Sequence, residues 1–197
     1  GSGVLASALV EAGYAVIGVD RSPAMLEIAR RTAPGAEFVL ASMHDFAFPS
    51  CAAVFAVGEG LAYIGNEDPR ETLPGVFRRI HEALAPGGLF VFDLVCARQG
   101  RPQSYIAERS GAGWSVRAEV TEYPEQSLLV RRIRTHLDSN GHLGESFETH
   151  RVRTFTRDHV EDMLRSAGFS VRARRSYGEI PLGPGRLAFF ARKPSRP

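Results

Sequence analysis

Two glycines and one acid near the start of the chain have the types and spacing of a nucleotide-binding turn. The chain opens Gly1-Ser2-Gly3, continues through an apolar helical pattern and a short strand, and reaches Asp20 at the end of that strand. Glycines let the backbone turn tightly, and the following helix offers free N–H groups at its amino end. Asp20 can accept two hydrogen bonds from a ribose diol. The three opening residues would also fit a flexible chain end, but the acid after an apolar strand favours binding.

Three further side chains have the chemistry to handle a substrate or its proton: Glu59, Tyr63 and His44. Glu59 follows the apolar run Cys51 to Val57, and open α/β sheets bind ligands at the carboxyl ends of their strands. Its carboxylate can hold an amine or accept a proton, and it can equally cap a turn. Tyr63 can bond a substrate or pack half-buried, and His44 can be a base or a surface residue. We take these three as the candidate catalytic residues.

The sequence predicts no metal site and no disulfide. Cys51 and Cys96 each lie in an apolar run, so we expect buried, reduced side chains. The histidines of the second half show no metal-ligand spacing. No apolar stretch has the length of a membrane span and no signal peptide is visible, so we expect a cytoplasmic protein without a membrane partner.

Charge is divided unevenly along the chain. Residues 1–97 carry 6 Arg and no Lys against 11 acids, whereas residues 98–197 carry 17 Arg and 1 Lys against 11 acids. A basic half can attract an acidic or phosphorylated partner, but arginines that alternate with apolar residues are also typical of a solvated sheet face. No nucleic-acid partner is predicted, because the chain shows no aromatic and basic pattern of that kind.

Strand and helix alternate through the first half of the sequence. The predicted elements are helices at Ser2–Glu11, Pro23–Pro34 and Glu67–Leu84, and strands at 15–19, Glu37–Leu40, Cys51–Val57 and Leu89–Val95. Ser22 suits the N-cap of the second helix, with Met25, Leu26, Ile28 and Ala29 as its buried face. The alternation predicts an α/β fold with a doubly wound, mostly parallel sheet.

The pattern changes in the second half, where apolar and charged residues alternate. We predict three antiparallel strands at Trp114–Glu122, Ser127–His136 and Leu143–Thr154, a helix from Thr156 to Ala167, and a strand pair at Phe169–Arg175 and Arg186–Ala191. The strands are separated by turn residues such as Asp138-Ser139-Asn140-Gly141. We expect one domain over 1–197, with a nucleotide-binding half (1–97), an antiparallel insert (98–155) and a C-terminal part (156–197).

Four segments in order carry a family resemblance: Gly1-Ser2-Gly3, Val16 to Leu26, Gly58 to Tyr63, and Leu84 to Asp93. Together they resemble the class I, Rossmann-like S-adenosylmethionine-dependent methyltransferases. The second and fourth segments are the most specific, since a Pro-Gly-Gly turn before a strand that ends in Asp is characteristic of these enzymes. The resemblance implies methyl transfer from S-adenosylmethionine to a nitrogen or oxygen of a small-molecule acceptor.

The resemblance also implies how this chain would contact the cofactor. The implied contacts are Gly1 and Gly3 at its methionine part and ribose, Asp20 at the ribose hydroxyls, Arg21 and Met25 beside the adenine, Ser42 and Met43 after the next strand, and Val57 and Gly58 below the sulfonium. Ser42 stands where the family usually has an acid, so we expect weaker cofactor binding. By likeness to small-molecule methyltransferases, the insert would cover the site or mediate a homodimer, and its basic character would suit an anionic acceptor.

The sequence departs from the family at its start. The family's glycine motif begins on a central first strand, which is missing before Gly1. We therefore expect the numbered chain to be a fragment of a longer protein. Without the first strand, the strands on its two sides would each lose a hydrogen-bonding partner. Two alternatives remain open: an NAD(P)-binding Rossmann oxidoreductase, and a non-catalytic cofactor-binding regulatory protein.

Overall fold

The computed structural model describes residues 1–63, 73–97, 104–139 and 142–195 of the 197-residue chain. Its helices are α1 (Val4–Glu11), α2 (Pro23–Thr32), α3 (Leu73–Ala83) and α4 (Arg157–Ser166). Its strands are β1 (Ile17–Asp20), β2 (Glu37–Leu40), β3 (Cys51–Ala56), β4 (Leu84–Val95), β5 (Ser104–Gly111), β6 (Trp114–Tyr123), β7 (Leu128–Ser139), β8 (His142–Arg153), β9 (Ser170–Arg174), β10 (Ser176–Tyr177), β11 (Ile180–Pro181) and β12 (Arg186–Arg192). The chain divides into two compact units, Gly1–Pro49 and Ser50–Pro197. The expectation of one domain divided near residues 97 and 155 stays a prediction.

The first unit is built on two parallel strands. β1 and β2 pair over their whole lengths and end with Asp20 opposite Leu40. Both strands were predicted, β2 with the same bounds. Among the described residues β1 has no second strand partner, and its Ile17 is 44% exposed. The parallel pairing puts the carboxyl ends of both strands at one edge of this sheet.

The buried face of α2 is narrower than predicted. Leu26, Ala29 and Ala33 are buried, and their spacing of three and four residues forms one stripe of the helix. The prediction that Met25 and Ile28 share this face is wrong, since they are 42% and 39% exposed. Both side chains flank the stripe and remain at the surface.

The second unit holds a four-stranded sheet in the order β3-β4-β12-β9. β3 runs parallel to β4, whereas β12 is antiparallel to both β4 and β9, which confirms the predicted C-terminal strand pair. Its core stacks Phe77 of α3, Phe90 and Phe92 of β4, and Phe189 of β12, all fully buried. Aromatic pairs of this kind add to the free energy gained by apolar burial.

β3 is less buried than its apolar sequence predicts. Phe55 is 40% exposed, and Val57, which follows the strand, is 50% exposed. Within the described residues β3 pairs with β4 alone, so one edge of the strand stays open. A continuous apolar run is typical of a strand buried on both faces, but this strand is only partly buried.

α3 leads directly into β4. The helix ends at Ala83, and β4 already begins at Leu84, five residues before the predicted start at Leu89. Lys193 Nζ donates to the carbonyls of His81 and Leu84, each at 2.7 Å, and so satisfies groups that a helix end leaves free. The predicted helix start at Glu67-Asp68-Pro69 lies outside the described residues.

The insert forms an antiparallel sheet in the order β5-β6-β7-β8. Its last three strands were predicted, but β5 was not. Every residue of β5 is exposed, so the strand has no buried face and its sequence shows no alternation. Asn140 and Gly141 of the predicted turn lie outside the described residues. No helix in the described part of the chain is long and apolar enough to cross a bilayer.

Candidate functional site

The predicted ligand carboxylate lies at the end of β1 in the first unit. Asp20 Oδ1 accepts a hydrogen bond from the Ser22 N–H at 2.8 Å. Burial raises the pKa of Asp20, and hydrogen bonds from the backbone N–H groups of Ser22 and Arg21 lower it. The side chain is 24% exposed. An ionised, accessible carboxylate of this kind can accept both hydrogen bonds of a diol.

Gly3 is required by the backbone at the start of α1. Its φ of 85° lies in the left-handed region that favours glycine. A Cβ at this position would lie 2.9 Å from the Cα of Ala29. Because Cα is a backbone atom, no side-chain rotation could relieve this clash. At Gly1 a Cβ would meet no atom within 4 Å. Gly3 therefore lets α1 approach α2 closely, and cofactor contact by either glycine stays a prediction.

Two predicted adenine neighbours stand exposed where α2 begins. Ser22 Oγ accepts a hydrogen bond from the Met25 N–H at 3.3 Å, which confirms the predicted N-cap. Arg21 precedes the cap and is exposed, as is Met25 in the first turn. Both therefore lie at the end of β1, close in sequence to Asp20.

The loop after β2 runs along the same edge of this sheet. The Ala41 N–H donates to the Asp20 carbonyl at 3.1 Å, so Ser42 follows directly beyond the β1–β2 pair. Ser42 Oγ accepts a hydrogen bond from the His44 N–H at 3.2 Å and closes a local turn. Met43 and His44 are half-buried in this loop. The first unit thus brings Asp20, Ser42, Met43 and His44 to one sheet edge.

In the second unit, Glu59 lies in the turn that follows β3. It is 1% exposed and has a left-handed backbone, with a φ of 64°. Arg131 of β7 approaches one carboxylate oxygen at 2.5 Å, and Arg186 of β12 forms an ion pair with the other. Guanidinium groups thus bind both oxygens. Arg131 links the turn to the insert, and Arg186 links it to the central sheet, which is the β3-β4-β12-β9 sheet.

The two arginines were not among the predicted site residues. They stand 72 and 127 positions after Glu59 in the sequence, so no local spacing connects them to it. The basic character of the second half was the one available signal. It could not single out Arg131 and Arg186 among 17 arginines.

A second buried carboxylate supports the same turn. Asp93 of β4 is 1% exposed, and its Oδ1 accepts hydrogen bonds from the Gly58 N–H at 2.6 Å and from the Tyr177 hydroxyl at 2.8 Å. Asp93 therefore bonds to the loop that follows β3. Gly58 has a φ of 89°, and a Cβ on it would meet no atom within 4 Å, so open space lies beside the turn.

Tyr63 lies four residues beyond Glu59 and faces the insert. It is 46% exposed and forms an isolated antiparallel bridge with Val152 of β8. Its ring meets the His150 ring edge to face, with centroids 5.4 Å apart. The second unit therefore brings Glu59 and Tyr63 into one segment, whereas His44 belongs to the first unit. Catalysis by any of the three stays a prediction.

Known methyltransferases resemble this chain in sequence and in fold. Residues 1–88 match a family model described as a methyltransferase domain. The provisionally named methyltransferase YqeM of Bacillus subtilis (strain 168) is 29% identical over 191 residues, covering 87% of this chain and 71% of YqeM.

Solved structures share the fold at low sequence identity. The CcbJ methyltransferase from Streptomyces caelestis superimposes with a TM-score of 0.77 at 18% identity, covering 98% of this chain and 85% of CcbJ. The sugar N-methyltransferase KedS8 from Streptoalloteichus sp ATCC 53650 gives a TM-score of 0.77 at 21% identity, covering 98% and 77%. The fold is thus that of the Rossmann-like methyltransferases.

Proposed function

We propose that this protein transfers the methyl group of S-adenosylmethionine to a nitrogen or oxygen atom of a small-molecule acceptor in the cytoplasm. The observation that carries the proposal is the ionised, partly exposed Asp20 at the end of β1, in the residues that match a methyltransferase domain. Neighbours in the fold include a sugar N-methyltransferase and an amino pentose methyltransferase, which supports a small acceptor.

The residues present fit the adenosyl part of this cofactor. In the first unit, Asp20 would take the ribose hydroxyls, with Gly1 and Gly3 on the methionine side. Arg21 and Met25, exposed at the start of α2, would flank the adenine together with Ser42 and Met43. In the second unit, Val57 is half exposed and Gly58 has open space beside it, which supports their predicted place near the reacting methyl.

When bound, S-adenosylmethionine supplies an electrophilic methyl carbon on a sulfonium. Transfer to an acceptor would require its lone pair to be held in line with that carbon, so the main task of the protein's residues would be alignment. Within the second unit, Tyr63 is 46% exposed, and its hydroxyl is proposed to bond the acceptor. Glu59 has both oxygens bound by arginines, which suits holding the turn better than accepting a proton.

Arg186, beside Glu59, favours an acceptor that carries an anionic group. Two guanidinium groups share the Glu59 carboxylate, and the Asp93 carboxylate at the same turn balances the second positive charge. The Arg186 side chain is 38% exposed and can offer its remaining N–H groups to a carboxylate or phosphate.

This proposal for the acceptor can be tested with matched amino sugars, one neutral and one carrying a 1-phosphate. We expect the phosphorylated compound to be the better substrate at low salt, and R186Q to raise the KM of the phosphorylated compound about tenfold more than that of the neutral compound. Equal KM values for R186Q and wild type with the phosphorylated compound would contradict an anion site here.

The insert is also proposed to pair with a second copy of itself. Its exposed apolar side chains include Ile106, Leu137 and Phe147, which are 54%, 53% and 65% exposed. Arg117, paired with Glu108 and Glu119, adds charges of both signs that a two-fold interface can match. We expect sedimentation equilibrium to give a dimer, and F147E to give a monomer. A wild-type protein that sediments as a monomer at all concentrations would contradict this.

The experiment that tests the proposed reaction combines binding and turnover. S-adenosylhomocysteine and NAD are titrated separately into the protein, and labelled S-adenosylmethionine is then offered with a panel of small amines and alcohols. We expect saturable binding of S-adenosylhomocysteine, none of NAD, and transfer of label to at least one acceptor. Binding of NAD would favour an oxidoreductase, and cofactor binding without any transfer would favour a regulatory protein.

A further inference from the structure

We propose that Tyr177 is a positioning residue for methyl transfer, which acts through Asp93 on the turn at Gly58. The inference rests on the proposed function, because it concerns the place where that reaction would occur. It adds a residue that the sequence did not single out and that stands 119 positions from the turn it supports.

The register of the central sheet places Asp93 beside the turn. β3 and β4 are parallel, with Ala56 opposite Phe92, so Asp93 is the next residue along β4 as the chain leaves β3. From there its Oδ1 reaches the Gly58 N–H at 2.6 Å. The carboxylate therefore fixes the first peptide group of the turn rather than a side chain.

Tyr177 completes the coordination of this carboxylate. Its hydroxyl donates to the same oxygen at 2.8 Å, and its ring packs against Phe190 with centroids 6.1 Å apart. Burial and the neighbouring Asp93 charge raise the pKa of Tyr177, so the hydroxyl keeps its proton at physiological pH. Among the described residues no cationic side chain forms an ion pair with Asp93, which makes these two neutral donors important to a carboxylate that is 1% exposed.

The turn needs such support because its backbone is unusual. Gly58 and Glu59 both have positive φ, at 89° and 64°, and the second of these is not a glycine. Residues held in the left-handed region cost free energy and persist only where their surroundings fix them. Asp93 fixes the turn at Gly58, and Arg131 and Arg186 fix it at Glu59.

Loss of the Tyr177 hydroxyl should therefore disturb alignment more than cofactor binding. The aromatic ring would still pack on Phe190, so Y177F should fold. Asp93 would keep one donor instead of two and could rotate away from Gly58. The adenosyl contacts proposed above lie mainly in the first unit, where this substitution changes nothing.

The test compares Y177F with wild type and with Y105F, a matched control on the exposed strand β5. We expect Y177F to lower kcat about 3- to 10-fold while the Kd for S-adenosylhomocysteine stays within about twofold, and Y105F to change neither. D93N, which keeps an acceptor oxygen for both donors, should retain more activity than D93A. A kcat for Y177F within about twofold of wild type would overturn the proposal.

A second measurement does not depend on turnover. In protein labelled with 15N-glycine, hydrogen exchange of the Gly58 amide should be about tenfold faster in Y177F than in wild type, because the bond to Asp93 opens more often. Unchanged exchange would overturn the proposal, even in a protein with full activity. Failure of the proposed function itself would appear elsewhere, as absent binding of S-adenosylhomocysteine by the wild type.

Discussion

Asp20 and Glu59 are both carboxylates that follow a strand, yet their surroundings give them different roles. Asp20 is 24% exposed and accepts a hydrogen bond from the Ser22 N–H, so part of the carboxylate remains accessible to a ligand. Glu59 is 1% exposed and held by two arginines. The same functional group is thus proposed to bind a ligand in one place and supports a turn in the other, according to burial and partners.

Removal of the Glu59 charge should be costly. E59Q would leave Arg131 and Arg186 without their carboxylate, and breaking a buried pair on one side typically costs about 3 kcal/mol. The matched control is E145Q, which removes an exposed partner of Arg134 and should cost less than about 1 kcal/mol. Urea unfolding of the three proteins measures both changes in the free energy of unfolding. Equal losses of unfolding free energy in E59Q and E145Q would contradict a larger contribution from the buried Glu59 pairs than from the exposed Glu145 pair.

Among the elements, α4 shows how local sequence determines structure. Thr156 caps its start by accepting a hydrogen bond from the His159 N–H at 3.3 Å, and Gly168, with a φ of 96°, follows its end. Glu161 binds Arg157 one turn before it at 2.7 Å and Arg165 one turn after it at 2.6 Å. Caps and pairs of this kind use residues close in sequence, so the sequence predicts them.

The Glu161 pairs make part of the stability depend on pH. Burial raises the pKa of Glu161, but hydrogen bonds from the two arginines outweigh it and leave the pKa below the ordinary value of 4.5. A carboxyl group with a lowered pKa in the folded state stabilises the protein above its unfolded pKa, and that contribution is lost as pH falls.

We therefore expect wild type and E161Q to differ in melting temperature by a constant amount above about pH 4.5 and to converge below it. Thermal unfolding from pH 7 downward checks this. A difference that stays the same down to the lowest pH at which both fold would contradict the assignment.

Elements and contacts that depend on distant residues were less predictable. The N-cap at Ser22 and the bounds of β2 follow from local pattern, and the structure confirms them. β5 was missed because no face of it is buried, and Met25 was misplaced because burial is limited to the stripe of Leu26, Ala29 and Ala33, which depends on tertiary packing. At the site, Asp20 is recognisable from its strand. Arg131, Arg186 and Tyr177 reach Glu59 and Asp93 only through tertiary folding.

The molecule consists of two compact units, and a different role is proposed for each. Gly1–Pro49 carries the residues proposed to bind the adenosyl group, and Ser50–Pro197 carries the supported turn, the central sheet and the insert. The match to a methyltransferase domain covers residues 1–88 and so includes the end of β3 and its turn. The insert lies beyond that match, in the basic half, which agrees with a role in acceptor choice rather than cofactor binding.

The central claim is that the Asp20 carboxylate binds the ribose of the cofactor. The most direct measurement is a calorimetric titration of S-adenosylhomocysteine into wild type and into D20N, which keeps the shape of the side chain but not its charge. We predict one site per chain in the wild type and an affinity at least about tenfold weaker in D20N, a difference of about 1.4 kcal/mol. The same affinity in both proteins, or no binding by the wild type, would contradict the account.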